Sequence, residues 1–158
     1  MRHFKRFELD VETDNFVQTP IYGMFTVNSI IEKSIECCLK QYNLSSSKFN
    51  IMMVIKHEGG KKGISQVDVG KRLIVTASNM TKQIDKLIDE GLAERFALKG
   101  DRRVNLVKIT QKGSDLLDKI WPEYIKVINN IADKISIEER QILTQILVKW
   151  FDSLENED

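Results

Sequence analysis

Two cysteines, two histidines and two prolines are all that this 158-residue chain holds of the residues that most often mark disulfide frameworks, metal sites and rigid turns. Cys37 and Cys38 are adjacent, too few and too close for a disulfide framework, which agrees with a reducing compartment. Together with His3 and His57 they lack the number and spacing of a structural zinc site, so no metal is expected. No Ser-His-Asp order and no Gly-rich phosphate loop accompanies them. The chain is therefore expected to be no enzyme, with no catalytic residues and no cofactor.

Long apolar runs are missing too. The longest uncharged stretch, residues 15–31, is interrupted by Gln18, Thr19, Pro20, Gly23, Thr26, Asn28 and Ser29 and falls short of a bilayer span. The basic first six residues run into Glu8, Asp10, Glu12 and Asp14 instead of the apolar core of a signal peptide. A cytoplasmic protein without a membrane segment is expected. With 42% hydrophobic and 30% charged residues, the chain can bury the core of one domain.

A large net charge is absent as well, at +1, but its distribution is uneven. Residues 61–113 hold twelve Lys and Arg against six Asp and Glu, or +6, and the remainder holds twelve against seventeen, or −5. A basic middle is set against flanks that, taken together, are acidic.

What is present is mostly helical spacing. Thr19-Pro20 reads as N-cap and first residue of a helix reaching about Tyr42, with Ile31, Ile35, Cys38, Leu39 and Tyr42 on one face. A second helix, capped by Ser45 or a neighbouring serine, carries Phe49, Met52, Met53 and Ile55 until Gly59-Gly60. Ser65 caps a short helix through Leu73, and Thr76 caps another that ends before Gly91. Two helices joined this tightly form a helix-turn-helix.

Residues 92–98 and 104–109 then read as two strands around a loop, Lys99-Gly100-Asp101-Arg102-Arg103, which makes the helix-turn-helix a winged one. Thr110 caps a helix carrying Leu117, Ile120, Trp121, Tyr124, Ile128 and Ile131, with Pro122 expected to kink it. Ser136 to Glu139 form a capping box for a last helix with Leu143, Ile146, Leu147, Trp150 and Leu154. The fold class is mainly α (α+β).

In the helix of residues 77–90, Ala77, Met80, Ile84, Leu87 and Ile88 make one apolar stripe. Opposite lie Ser78, Asn79, Lys82, Gln83 and Lys86, none of them acidic, while Asp85, Asp89 and Glu90 sit off that face or at its far end. Such a face suits a DNA major groove: Gln83 can pair with adenine, and Lys82 and Lys86 can bind guanine or phosphate. At the hairpin, Lys99, Arg102 and Arg103 gather at one tip, where an arginine can enter a narrow minor groove.

Leu44-Ser45 ahead of Phe49, residues 65–73 and 76–87, Glu90-Gly91-Leu92-Ala93-Glu94-Arg95, Asp101-Arg102-Arg103 and Ile109-Thr110-Gln111-Lys112-Gly113 follow one another in an order that resembles the MarR family of bacterial and archaeal regulators. The resemblance implies a homodimeric winged-helix repressor, or occasionally activator. It implies binding to a pseudo-palindromic double-stranded DNA operator and release by a small, often phenolic, effector or by thiol oxidation. It divides the chain into dimerisation helices at 15–43 and 114–155 and a DNA-binding lobe at 44–113. Carried over by position, Thr76, Ser78, Asn79, Thr81, Lys82, Gln83 and Lys86 belong to the recognition helix and Arg102 and Arg103 to the wing; Ser65 and Lys99 complete the expected DNA-binding set. Gly70, where alanine is usual, and Ile74 in the turn depart from the family pattern.

The effector site stays open, with Tyr22, Phe25, Met52, Met53 and Trp121 as candidate lining or simple core. Two alternatives stand beside the DNA-binding reading: a winged-helix module that binds protein, and a redox sensor using Cys37 and Cys38. The cysteines lie towards the end of the first helix, away from where thiol-sensing relatives place theirs, and Lys40 is the one cation near them.

Overall fold

The first helix, α1 (Thr19–Lys40), ends because Asn43 takes a left-handed conformation, φ 55°. Asn43 N–H then donates to the Lys40 carbonyl at 3.1 Å and Leu44 N–H to the Leu39 carbonyl at 3.4 Å. This double closure turns Leu44 back onto Leu39, and both side chains are buried. The computed structural model describes residues 19–73, 77–98 and 101–155.

Helix α2 (Ser46–Val54) is capped by Ser45, whose Oγ accepts from Lys48 N–H at 3.3 Å. It widens into a π-type turn, Ile55–Gly59, before Gly60 reverses the chain. Strand β1 (Ile64–Ser65) leads into α3 (Gln66–Leu73), then α4 (Ala77–Asp89). Strands β2 (Ala93–Leu98) and β3 (Asp101–Ile109) follow, then α5 (Gln111–Ala132) and α6 (Ile137–Glu155).

The sheet corrects the expected two-stranded hairpin. It has three antiparallel strands in the order β1-β3-β2, with Ile64 opposite Val107 and Arg95 opposite the same Val107 from the other side. Strand β1 is only two residues long, too short for any alternation to register in a sequence.

The expected loop of residues 99–103 is also shorter than read. Asp101, Arg102 and Arg103 belong to β3, because Ala97 pairs with Asn105 but Leu98 pairs with Asp101. The three residues 102–104 bulge from β3 between those pairs. Charged residues looked like loop, yet ladder hydrogen bonds use only backbone and tolerate them on a solvated hairpin.

Helix α4 also ends in a left-handed residue, Gly91 at φ 69°, with Gly91 N–H bonded to the Ile88 carbonyl and Leu92 N–H to the Leu87 carbonyl, both at 2.8 Å. Leu92 thereby packs into the same core as Leu87. Thr110 starts α5, its Oγ1 accepting from Gly113 N–H at 3.1 Å. A Cβ at Gly113 would overlap the Leu92 carbonyl oxygen, so glycine lets α5 begin directly against the end of α4. The capping box of α6 closes both ways: Ser136 N–H donates to Glu139 Oε2 at 2.7 Å and Glu139 N–H to Ser136 Oγ at 3.2 Å.

The core joins Leu39 of α1, Phe49, Ile51 and Met52 of α2, Val69 of α3, Met80, Ile84 and Leu87 of α4, Val107 of β3, and Leu117 and Ile120 of α5. The expected stripe of α5 is buried only in part: Leu117 and Ile120 are covered, but Trp121 is 42% exposed. Pro122 lies within α5 without dividing it. Ile84 sits wholly inside, so Ile84→Ala should cost about 2–5 kcal/mol in urea unfolding, whereas Lys82→Ala should stay within about 0.5 kcal/mol. Equal effects from the two would contradict this packing of α4.

Candidate nucleic-acid interface

Met80, Ile84 and Leu87 press α4 against the core, so the helix must turn its other side outward. Lys82 and Lys86 stand exposed there one turn apart, with Gln83 half-buried at the edge of that face. Ser78 and Asn79 lie in the first turn of α4 and Arg102 and Arg103 in β3; for these four the backbone alone is described. Thr76 and Lys99 lie outside the described residues.

Two expected site residues have partners within the fold. Ser65 Oγ accepts from Asp68 N–H at 3.1 Å and donates to Asp68 Oδ2 at 2.6 Å, so its hydroxyl caps α3. Thr81 Oγ1 accepts from Gln66 Nε2, tying α4 to the start of α3.

The end of α4 is held from several directions. Lys112 Nζ donates to the Glu90 carbonyl at 2.7 Å, placing a cation at the helix's negative pole. Thr110 Oγ1 donates to the Gly91 carbonyl at 2.8 Å. The Glu90 carboxylate pairs with the largely covered Lys48 of α2. The C-terminal end of α4 is therefore tied to α2 and to the start of α5.

Sequence reading gave no role to Arg95, Gln66 or Asp85 at this surface. Arg95 Nη2 donates to Asp85 Oδ1 at 2.7 Å and to Gln66 Oε1 at 3.3 Å. A visible signal was the spacing of Thr81 and Asp85, four apart on the flank of α4 beside its apolar stripe.

The MarR family's sequence profile matches residues 44–104, from the turn before α2 into the wing. The transcriptional regulator YkoM of Bacillus subtilis, itself uncharacterised, is 30% identical over 131 residues, covering 82% of each chain. The chain belongs to the MarR family. The HTH-type transcriptional regulator PecS of Dickeya dadantii is 26% identical over 143 residues, 90% of this chain and 84% of PecS. In structure, the MarR-type fold is shared with MepR of S. aureus, solved as a DNA complex: TM-score 0.77, 17% identity, covering 84% of this chain and 96% of MepR. The family match begins just before α2, and the likeness of fold extends beyond it into the flanking helices.

The redox alternative rests on Cys37 and Cys38, near the end of α1. Cys37 is exposed and Cys38 half-buried. Burial pushes the Cys38 thiol above its usual pKa, and the negative charges of Glu123 and Cys37 add to the rise. Gln41 Nε2 fixes Glu123 nearby at 2.6 Å. Reactive thiols need the opposite shift. Of the candidate effector lining, Met52 is wholly buried, whereas Tyr22 and Phe25 are exposed.

Among the described residues no His, Cys, Asp and Glu group suited to a metal ion occurs, and no helix is long and apolar enough to cross a membrane. A raised pKa means less thiolate at neutral pH. In a Cys37→Ser variant, alkylation of Cys38 by iodoacetamide should therefore rise with pH about a midpoint above that of a free thiol. A midpoint below the free value would contradict the assignment.

Proposed function

We propose that this MarR-family regulator is a sequence-specific repressor that binds a pseudo-palindromic DNA operator as a homodimer and leaves it when a small effector binds. The observation that carries the reading is the outward face of α4, where Lys82 and Lys86 project opposite the buried Met80, Ile84 and Leu87. A helix so mounted, next to a basic hairpin, matches what a major groove accepts. The capture of MepR in a DNA complex supports this for the shared fold.

In this reading Ser78, Asn79, Lys82, Gln83 and Lys86 face the groove, with Thr76 at its entrance. Lys99, Arg102 and Arg103 reach the adjacent minor groove. Ser65 contributes by capping α3 and Thr81 by tying α4 to α3, with hydroxyls engaged by Asp68 and Gln66. The lobe of residues 44–113 reads DNA, and residues 15–43 and 114–155 join two copies.

Support for the dimer comes from uncovered apolar surface. Helix α6 has no buried residue, and Ile142, Ile146, Phe151 and Leu154 are each more than half exposed. On α1, Phe25 and Ile30 are 67% and 63% exposed. Apolar area of this extent favours burial against a second copy. A dimer carries its two α4 helices to successive grooves about 34 Å apart. An effector that prefers another spacing of the lobes by a few kcal/mol then empties the operator.

The test is binding of the purified protein to duplexes selected from a random pool, followed by fluorescence anisotropy across salt concentrations. Lys82→Ala and Arg103→Ala should each weaken binding and lower the salt slope by about 1. Gln83→Ala should instead relax preference at one base position, at a cost of about 1–3 kcal/mol. Sedimentation at micromolar concentration should give a dimer. A monomer, or affinity and slope unchanged in the Lys82 and Arg103 variants, would overturn the corresponding part of the reading.

A further inference from the structure

Between the buried stripe of α4 and its outward cations runs a flank that carries Thr81 and Asp85 one turn apart. Each is held by a different neighbour. Gln66, the first residue of α3, donates its Nε2 to Thr81 Oγ1. Arg95, in β2, donates to Asp85 Oδ1 at 2.7 Å and to Gln66 Oε1 at 3.3 Å. The four side chains link the two helices of the helix-turn-helix to β2, an edge strand of the sheet.

The sheet register explains why an arginine stands here. Directly opposed residues share a face, so Ile64, Val107 and Arg95 form one row across β1, β3 and β2. Val107 is fully buried and Ile64 half-buried, while the Arg95 side chain remains 30% exposed at the end of the row. Its methylene stem continues the apolar row, and its guanidinium clears the edge to meet α4 and α3. Both bonds leave one nitrogen, Nη2, whose two hydrogens are held in the guanidinium plane, so acceptors on two separate elements restrain the orientation of that plane more than a freely rotating ammonium would.

We propose that Arg95 is a positioning residue for DNA recognition, fixing the angle of α4 relative to α3 and the wing through Asp85 and Gln66 without itself contacting DNA. This rests on the DNA-binding reading given above. The far end of α4 already has its own anchors in Gly91, Lys112 and the Lys48–Glu90 pair. The Arg95 network holds the middle turns, from which Lys82, Gln83 and Lys86 project. Partly exposed ion pairs add little to global stability, so their loss leaves a folded protein with a less well aimed helix.

The sign expected for loss of the Asp85 charge is opposite to that of simple electrostatics. Asp85 is an acid on a helix that faces a polyanion. Removing its charge should tighten DNA binding if charge alone matters, and should weaken it if Asp85 serves to seat Arg95.

The experiment compares the full chain with Arg95→Gln, Arg95→Lys, Asp85→Asn and the Arg95→Gln/Asp85→Asn double variant, with Lys82→Ala as the reference for a phosphate contact. Affinity for the selected duplex is read across salt concentrations, and urea midpoints are recorded alongside. Arg95→Gln and Asp85→Asn should each weaken binding by about two- to thirtyfold. The double variant should be no worse than the worse single one, because both break one unit. Salt slopes should match the unsubstituted protein, whereas Lys82→Ala lowers the slope by about 1. Arg95→Lys should recover only part of the loss.

If Asp85→Asn binds as tightly as the unsubstituted protein or more tightly, the proposal is overturned. A salt slope lowered by about 1 in Arg95→Gln overturns it too, by making Arg95 a phosphate contact. Should Arg95→Gln fail to fold, Asp85→Asn alone decides. Absence of DNA binding by the unsubstituted protein is a distinct result, which removes the functional reading and this inference with it.

Discussion

At Gly91 the chain leaves α4 through a left-handed turn, and the placement of nearly every other element depends on it. The turn carries Leu92 into the core beside Leu87. It also aims the Leu92 carbonyl at Thr110 N–H, 3.1 Å away, at the start of α5. Gly113 lets α5 approach that carbonyl without a side chain between them. Helix α4, both long strands and α5 thus meet at one junction, closed further by Thr110 on the Gly91 carbonyl and Lys112 on the Glu90 carbonyl. A β-carbon at position 91 would meet a conformational penalty of about 1–2 kcal/mol; one at 113 would displace backbone.

From that junction the division of the molecule follows. The core gathers around α2, α4 and the sheet, and it leaves the cations of α4 on the outside. The flanking helices α1 and α6 keep much of their apolar surface uncovered in a single chain. Charge and exposed apolar area are therefore segregated onto different parts of the chain, the former suited to a polyanion and the latter to a second copy. A whole-chain charge of +1 conceals this, since it sums a basic middle and flanks that together carry −5.

Much of this was legible in the residues. Caps at Ser45, Ser65, Thr110 and Ser136 bond as their spacing predicts, because capping is a local interaction between neighbours three apart. The stripe of Met80, Ile84 and Leu87 is buried as its period requires. Strand β1 and the extension of β3 to Asp101 were not legible, since both are set by pairing with a distant strand and not by their own pattern. Arg95 escaped for the same reason. Its partners Asp85 and Gln66 lie 10 and 29 residues away, and only the register of Ile64, Val107 and Arg95 aligns them. The exposure of Trp121 reflects a stripe that continues past the core of one chain.

The central claim is that α4 enters the major groove, twice per operator. Dimethyl sulfate protection of guanine N7 tests it most directly, because that atom lies in the major groove. The account predicts two clusters of protected guanines whose centres lie about one helical turn, roughly 10 base pairs, apart. A single cluster, or binding that leaves every guanine N7 reactive, would contradict it.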